Sequence, residues 1–106
     1  MRKEIKELAK MGPLPSYKIA MQSDQLEKLD GYSQLIVAIR KPVTDEEARV
    51  LASLFGPDDG FGLEETLIHL VESAPGWPLW DCLEDMSNEW IQRLRRRLEN
   101  AGISSP

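Results

Sequence analysis

The residues whose types and spacing could do chemistry fall almost entirely in the second half of this chain. His69 is the only histidine. Glu65 stands one helical turn before it and Glu72 one turn after, so a helix would set carboxylate, imidazole and carboxylate on one face, as a metal site requires. A structural zinc centre needs a full tetrahedral ligand set, and carboxylate-bridged metal bundles repeat a Glu-x-x-His element on separate helices. One histidine cannot supply either, and a solvated helix face is the plainer reading. Cys82 is the sole cysteine, and with His69 it would be the minimal pair for thiol catalysis. A nucleophilic cysteine wants an electropositive setting that holds a thiolate, whereas Cys82 lies between Asp81 and Glu84. A small buried apolar residue suits that place better. Asp58-Asp59-Gly60-Phe61-Gly62 contains a fragment of a calcium loop or a phosphate loop. The first would need alternating ligands along a longer segment, and the second would not carry carboxylates at its lip. The glycines fit a tight connection at φ > 0, with the aspartates capping a helix at Gly62.

Two further groups bear on recognition. Arg93, Arg95, Arg96 and Arg97 fall in the last turns of a helical pattern, where cations complement the negative end of the dipole; Arg93, Arg96 and Arg97 share a face. Nucleic-acid binding is the sharper alternative, but the sequence pI is about 4.9, which disfavours phosphate over most of the surface. Of the tryptophans, Trp90 sits between helical core positions. Trp77 and Trp80 stand in Ala-Pro-Gly-Trp-Pro-Leu-Trp-Asp, a proline-broken stretch of the kind that runs over a surface. Either could plug the core, and either, beside carboxylates, has the composition of a binding hot spot.

The elements that must position these residues are helical. Thr44 before Asp45, Glu46 and Glu47 is a capping box, and Ala48, Leu51, Ala52 and Phe55 follow on one face until Gly56 and Pro57 stop the helix. A second helix is predicted from Gly62 to Ser73, with Leu63, Leu67, Leu70, Val71 and Ala74 inward and Pro75-Gly76 ending it. A third starts near Ser87, with Ile91, Leu94, Leu98 and Ala101 inward and Gly102 as its stop. Met1 to Met11 reads as a short amphipathic helix ended by Gly12 and Pro13. Ser23 to Arg40 reads as a longer one, with Leu29, Tyr32, Ile36 and Ile39 inward. The run Leu35 to Ile39 is the one strand candidate, but it lacks alternation and a partner of comparable β-propensity.

The chain has 106 residues and a net charge of −5, enough for one core and not two. The charge is unevenly distributed: residues 42–92 hold twelve carboxylates and one cation, Arg49, for a net −11, while each flank is net +3. A single cysteine excludes a disulfide-stapled scaffold and points to a reducing compartment. No apolar run reaches a membrane span, and MRKEIKELAKM places charges where a secretory signal needs apolar residues. The expected localisation is cytoplasmic.

Leu54 to Trp80, LFGPDDGFGLEETLIHLVESAPGWPLW, resembles stretches found in small bacterial immunity proteins, the antidotes encoded beside polymorphic or contact-dependent growth inhibition toxins. The resemblance implies a protein that binds one toxin domain and blocks it, commonly a nuclease with a basic groove; it carries a role and no family-defined binding residues. An acidic surface with loop aromatics independently suits a basic partner. The sequence therefore predicts an all-α single domain, residues 1–106, of about four to five helices. It is expected to be neither an enzyme nor a cofactor or metal protein, to be a monomer when free, and to engage neither membrane nor nucleic acid. Asp58, Asp59, Glu64, Glu65, Asp81, Glu84 and Asp85 would steer the toxin, and Trp77 or Trp80 would fill a pocket on it. The alternatives are a small nucleic-acid-binding regulator using Arg93 to Arg97, and a helical subunit of a larger assembly.

Overall fold

Apolar spacing becomes helix almost everywhere it is legible. The computed structural model describes residues 1–16, 26–57 and 62–104. Among these, five α-helices form: α1 Lys3–Met11, α2 Leu26–Ala38, α3 Asp45–Ala52, α4 Leu63–Glu72 and α5 Glu89–Asn100, with a 3-10 turn at Trp80–Cys82. The described residues contain no strand, so the fold is all-α. The Leu35–Ile39 run is helical as far as Ala38, with Ile36 and Ile39 buried and Val37 69% exposed. With no second β-prone segment to pair with, intrachain hydrogen bonding of the helix satisfies that backbone. The predicted start of α2 at Ser23 lies outside the described residues, and its end falls two residues before Arg40.

The helix ends follow local chemistry. At α3 the Thr44 hydroxyl accepts the Glu47 N–H at 3.1 Å and the Glu47 carboxylate accepts the Thr44 N–H at 2.9 Å, the reciprocal box predicted. That helix stops at Ala52, earlier than expected, and Phe55 is buried from the turn beyond it. The reason is tertiary: the Leu14 N–H donates to the Leu54 carbonyl at 2.9 Å, and a Cβ on Gly56 would strike the Leu14 carbonyl oxygen. At the end of α5, Gly102 takes φ 80°, its N–H bonds Glu99 and the Ile103 N–H bonds Leu98, a Schellman closure. Ala101, predicted to face inward, is exposed, because it is already the cap of a helix that ends at Asn100.

Buried side chains from all five helices form one apolar cluster. Helix α3 packs on α4, α1 bridges α2 and α3, and α2 lies against α4. Helix α5 joins through Trp90, Ile91, Leu94 and Leu98, all buried, with Trp90 stacked against Phe55 at 6.3 Å between centroids. No helix of the described residues is long and apolar enough to cross a membrane.

Candidate functional site

Beyond α4 the chain cannot continue as a helix through Pro75 and Gly76, so it crosses to α5 as an irregular segment. Its anchors are aliphatic: Leu79 and Leu83 point into the core at 6% and 0% exposure. The 3-10 turn between them is closed by Cys82 N–H to Leu79 and Leu83 N–H to Trp80 hydrogen bonds. With Leu79 and Leu83 filling the core, Trp77, Trp80 and Cys82 are left half-buried at its edge, and Glu84, Asp85 and Met86 stand exposed. Neither loop tryptophan is a core plug; the fully buried one is Trp90. The exit is itself ordered. Met86 N–H bonds the Glu84 carbonyl, Asp85 accepts the Ser87 N–H and hydroxyl, and Gln92 donates to the Met86 carbonyl at 2.7 Å.

Three side chains from neighbouring helices tie this segment down. Asp45, at the start of α3, accepts the Gly76 N–H at 2.7 Å, so closely that a Cβ on Gly76 would fall on its carboxylate. One turn further along α3, the Arg49 guanidinium meets Asp81 at 2.7 and 3.4 Å. The Arg49 hydrogen bond, with the Arg49 charge behind it, holds the Asp81 carboxyl below its ordinary value against the opposing effect of burial. From the opposite side, Arg95 of α5 donates to the Leu83 carbonyl at 2.7 Å and lies over the Trp80 ring at 5.5 Å.

The carboxylates named from sequence therefore separate. Glu84 and Asp85 are exposed on the same segment, just past the 3-10 turn, and neither makes an ion pair among the described residues. Asp81 is exposed but engaged by Arg49. Glu65 lies on α4, 3.4 Å from Arg93 of α5. Glu64 is corrected outright: it is fully buried, on the same inward face of α4 as Leu67 and Val71, and it offers nothing to a partner. Asp58 and Asp59 lie outside the described residues, as does their capping role, although Gly62 does take φ 80°.

The arginine helix is similarly committed. Arg97 grips Glu72 with two bonds of 2.7 and 2.8 Å, Arg93 pairs with Glu65 and Glu89 and lies over Trp90, and Arg95 holds Leu83. Of these four, Arg96 alone makes no ion pair or hydrogen bond among the described residues. The same pairs occupy the carboxylates flanking the exposed His69, and no group of metal-ligating side chains converges among the described residues. At Cys82 burial and the charge of Asp81 push the thiol up, and its Sγ donates to the Leu79 carbonyl. Both keep it a thiol.

Sequence reasoning missed two apolar features of the surface. Met86 is 49% exposed on the turn next to Glu84 and Asp85. Ile103, 39% exposed, joins Trp77, Leu98 and the Arg97–Glu72 pair around an open groove of about 510 Å³. Met86 lies in a turn and Ile103 just after one, where periodicity carries no information on facing. Comparison with protein-family models, with curated proteins and with solved structures found no match to this chain.

Proposed function

We propose that this chain is a cytoplasmic immunity protein: a small helical inhibitor, without enzymatic activity of its own, that binds a basic toxin domain and occludes it. The observation that carries the reading is the Trp77–Met86 segment. Two partly buried tryptophans, an exposed methionine and two exposed carboxylates without an ion-pair partner among the described residues lie on backbone tied to α3 and α5. Large aromatic anchors beside charge, on backbone that need not be ordered on binding, are what a tight protein interface uses. Glu84 and Asp85 supply the sign that attracts a basic groove. The nucleic-acid reading is weakened by the same geometry, since Arg93 and Arg97 are engaged with carboxylates and Arg95 with the loop.

The test is direct. If a toxin domain is encoded next to this chain's gene, the two purified proteins should form a one-to-one complex that abolishes the toxin's activity, and co-expression should rescue cells from it. A gene with no toxin neighbour, or a toxin domain that neither binds nor is inhibited, would overturn the proposal.

A further inference from the structure

Asp45 and Arg49 occupy the same face of α3, one turn apart, and each holds one end of the tryptophan segment: Asp45 at Gly76, Arg49 at Asp81. Between these ties lie Trp77, Pro78 and Trp80, with Leu79 as the only residue of the stretch buried in the core. Leu79 fixes the middle of the stretch, and the two tryptophans pack at the core edge, with Arg95 over the Trp80 ring. The ties to α3 add a restraint at each end. Exposed ion pairs contribute little to global stability, and the Arg49 and Asp81 side chains are 46% and 61% exposed, so breaking this pair should release the segment without unfolding the helices.

We infer that α3 is the splint of the recognition surface: Asp45 and Arg49 are positioning residues that hold Trp77 and Trp80 in one arrangement, and Asp81 serves this clamp instead of meeting the partner's cations. The inference rests on the proposed binding role of the tryptophan segment, and it reassigns Asp81 within it. Ordering side chains before encounter lowers the entropic cost of association, so releasing the clamp weakens binding although no contact with the partner is removed.

Incorporating 5-fluorotryptophan gives one fluorine signal for each of the three tryptophans, with core Trp90 as the internal control. In the free protein, Arg49→Gln or Asp81→Asn should broaden or shift the Trp80 signal, and Gly76→Ala, which displaces Asp45, the Trp77 signal; Trp90 and the far-UV circular dichroism should stay as in wild type. The exchanged pair, Arg49→Asp with Asp81→Arg, should bring the Trp80 signal back. Against the neighbouring toxin domain, each single variant should bind about two- to tenfold more weakly, and the exchanged pair should recover most of that loss. Unchanged Trp77 and Trp80 signals in the single variants would overturn the clamp. So would an exchanged pair whose Trp80 signal recovers while its binding does not, because Asp81 would then be touching the partner. If wild type fails to bind the toxin domain, the immunity reading falls, and the fluorine signals of the free protein still decide the clamp.

Discussion

The tryptophans and carboxylates of the Trp77–Met86 segment should fail in different ways when altered. Rim charges act mainly on the rate of association and are screened by salt, whereas a buried aromatic anchor sets how slowly the complex dissociates. Reversing Glu84 together with Asp85 should slow association with the toxin domain and flatten its salt dependence. Trp77→Ala or Trp80→Ala should instead speed dissociation and cost about 2 kcal/mol or more where that residue is a hot spot, with helicity unchanged. Stopped-flow binding at several salt concentrations separates the two effects. Acid-reversed variants that bind like wild type, alongside Arg93, Arg96 and Arg97 reversals that abolish binding, would invert the model of the surface. Glu47 is a different kind of carboxylate. It is 2% exposed, and burial alone would raise its pKa. The N–H groups of Thr44 and Arg2, the Arg2 charge and the Thr44 hydroxyl outweigh that and hold it below the ordinary value. A carboxyl depressed in the folded state stabilises fully above its unfolded value, about 4.3, and loses that contribution as pH falls through the folded value. Urea unfolding at pH values from about 6 downward should therefore show stability declining below about 4.3. The decline should be shallower in Glu47→Gln, and an identical slope in the two proteins would remove Glu47 from the account.

At the scale of elements, short helices depend on how they begin and end. Helix α3 has only eight residues, and a helix so short is marginal without its caps and its packing. Thr44→Ala removes one half of the capping box and should cost about 1 kcal/mol. The end of α1 relies on a residue from α2: the buried Tyr32 hydroxyl lies 2.7 Å from the Gly12 carbonyl oxygen and 3.0 Å from those of Met11 and Pro13. One proton serves this cluster of acceptors, and burial raises the phenol's pKa, which keeps that proton in place. Tyr32→Phe preserves the ring and leaves the carbonyls without a donor, at a cost of about 1–3 kcal/mol. For a domain of this size each kcal/mol lowers Tm by about 4–8 °C, so calorimetry resolves both variants. A Tyr32→Phe protein as stable as wild type would mean that water replaces the hydroxyl at no cost.

On the scale of the whole molecule, the charge segregation of the sequence is, among the described residues, partly folded back on itself. Basic α5 lies against acidic α4 through Arg93–Glu65 and Arg97–Glu72, and the one cation of the acidic stretch, Arg49, pairs with Asp81. A net −11 over residues 42–92 thus overstates what a partner meets, and the arginine cluster likewise overstates the basic patch. The expected consequence is that the protein passes heparin near physiological salt without retention. Retention that disappears on reversing Arg96 would reopen the nucleic-acid reading.

Helix identity, most inward faces and the stop of α5 were determined by the sequence alone, because each depends on neighbours within a turn: the Thr44–Glu47 box, the Leu63, Leu67, Leu70 and Val71 stripe, and Gly102 at φ 80°; the early end of α3 at Ala52 and the exposure of Ala101 were not. The all-α class follows from the same local signals. Which charged residues remain available depends instead on what the packing sets opposite them. Glu64 and Glu65 are adjacent and chemically equivalent, yet one is buried and the other is exposed beside Arg93. Asp81, Glu84 and Asp85 lie within five residues, yet only Asp81 finds an arginine, from a helix about thirty positions earlier in the chain. Periodicity predicts the direction in which a side chain points on its own helix. It carries no information about the partner that another helix brings to that point, and in this protein that partner decides whether a charge is engaged in holding the fold or is free at the surface.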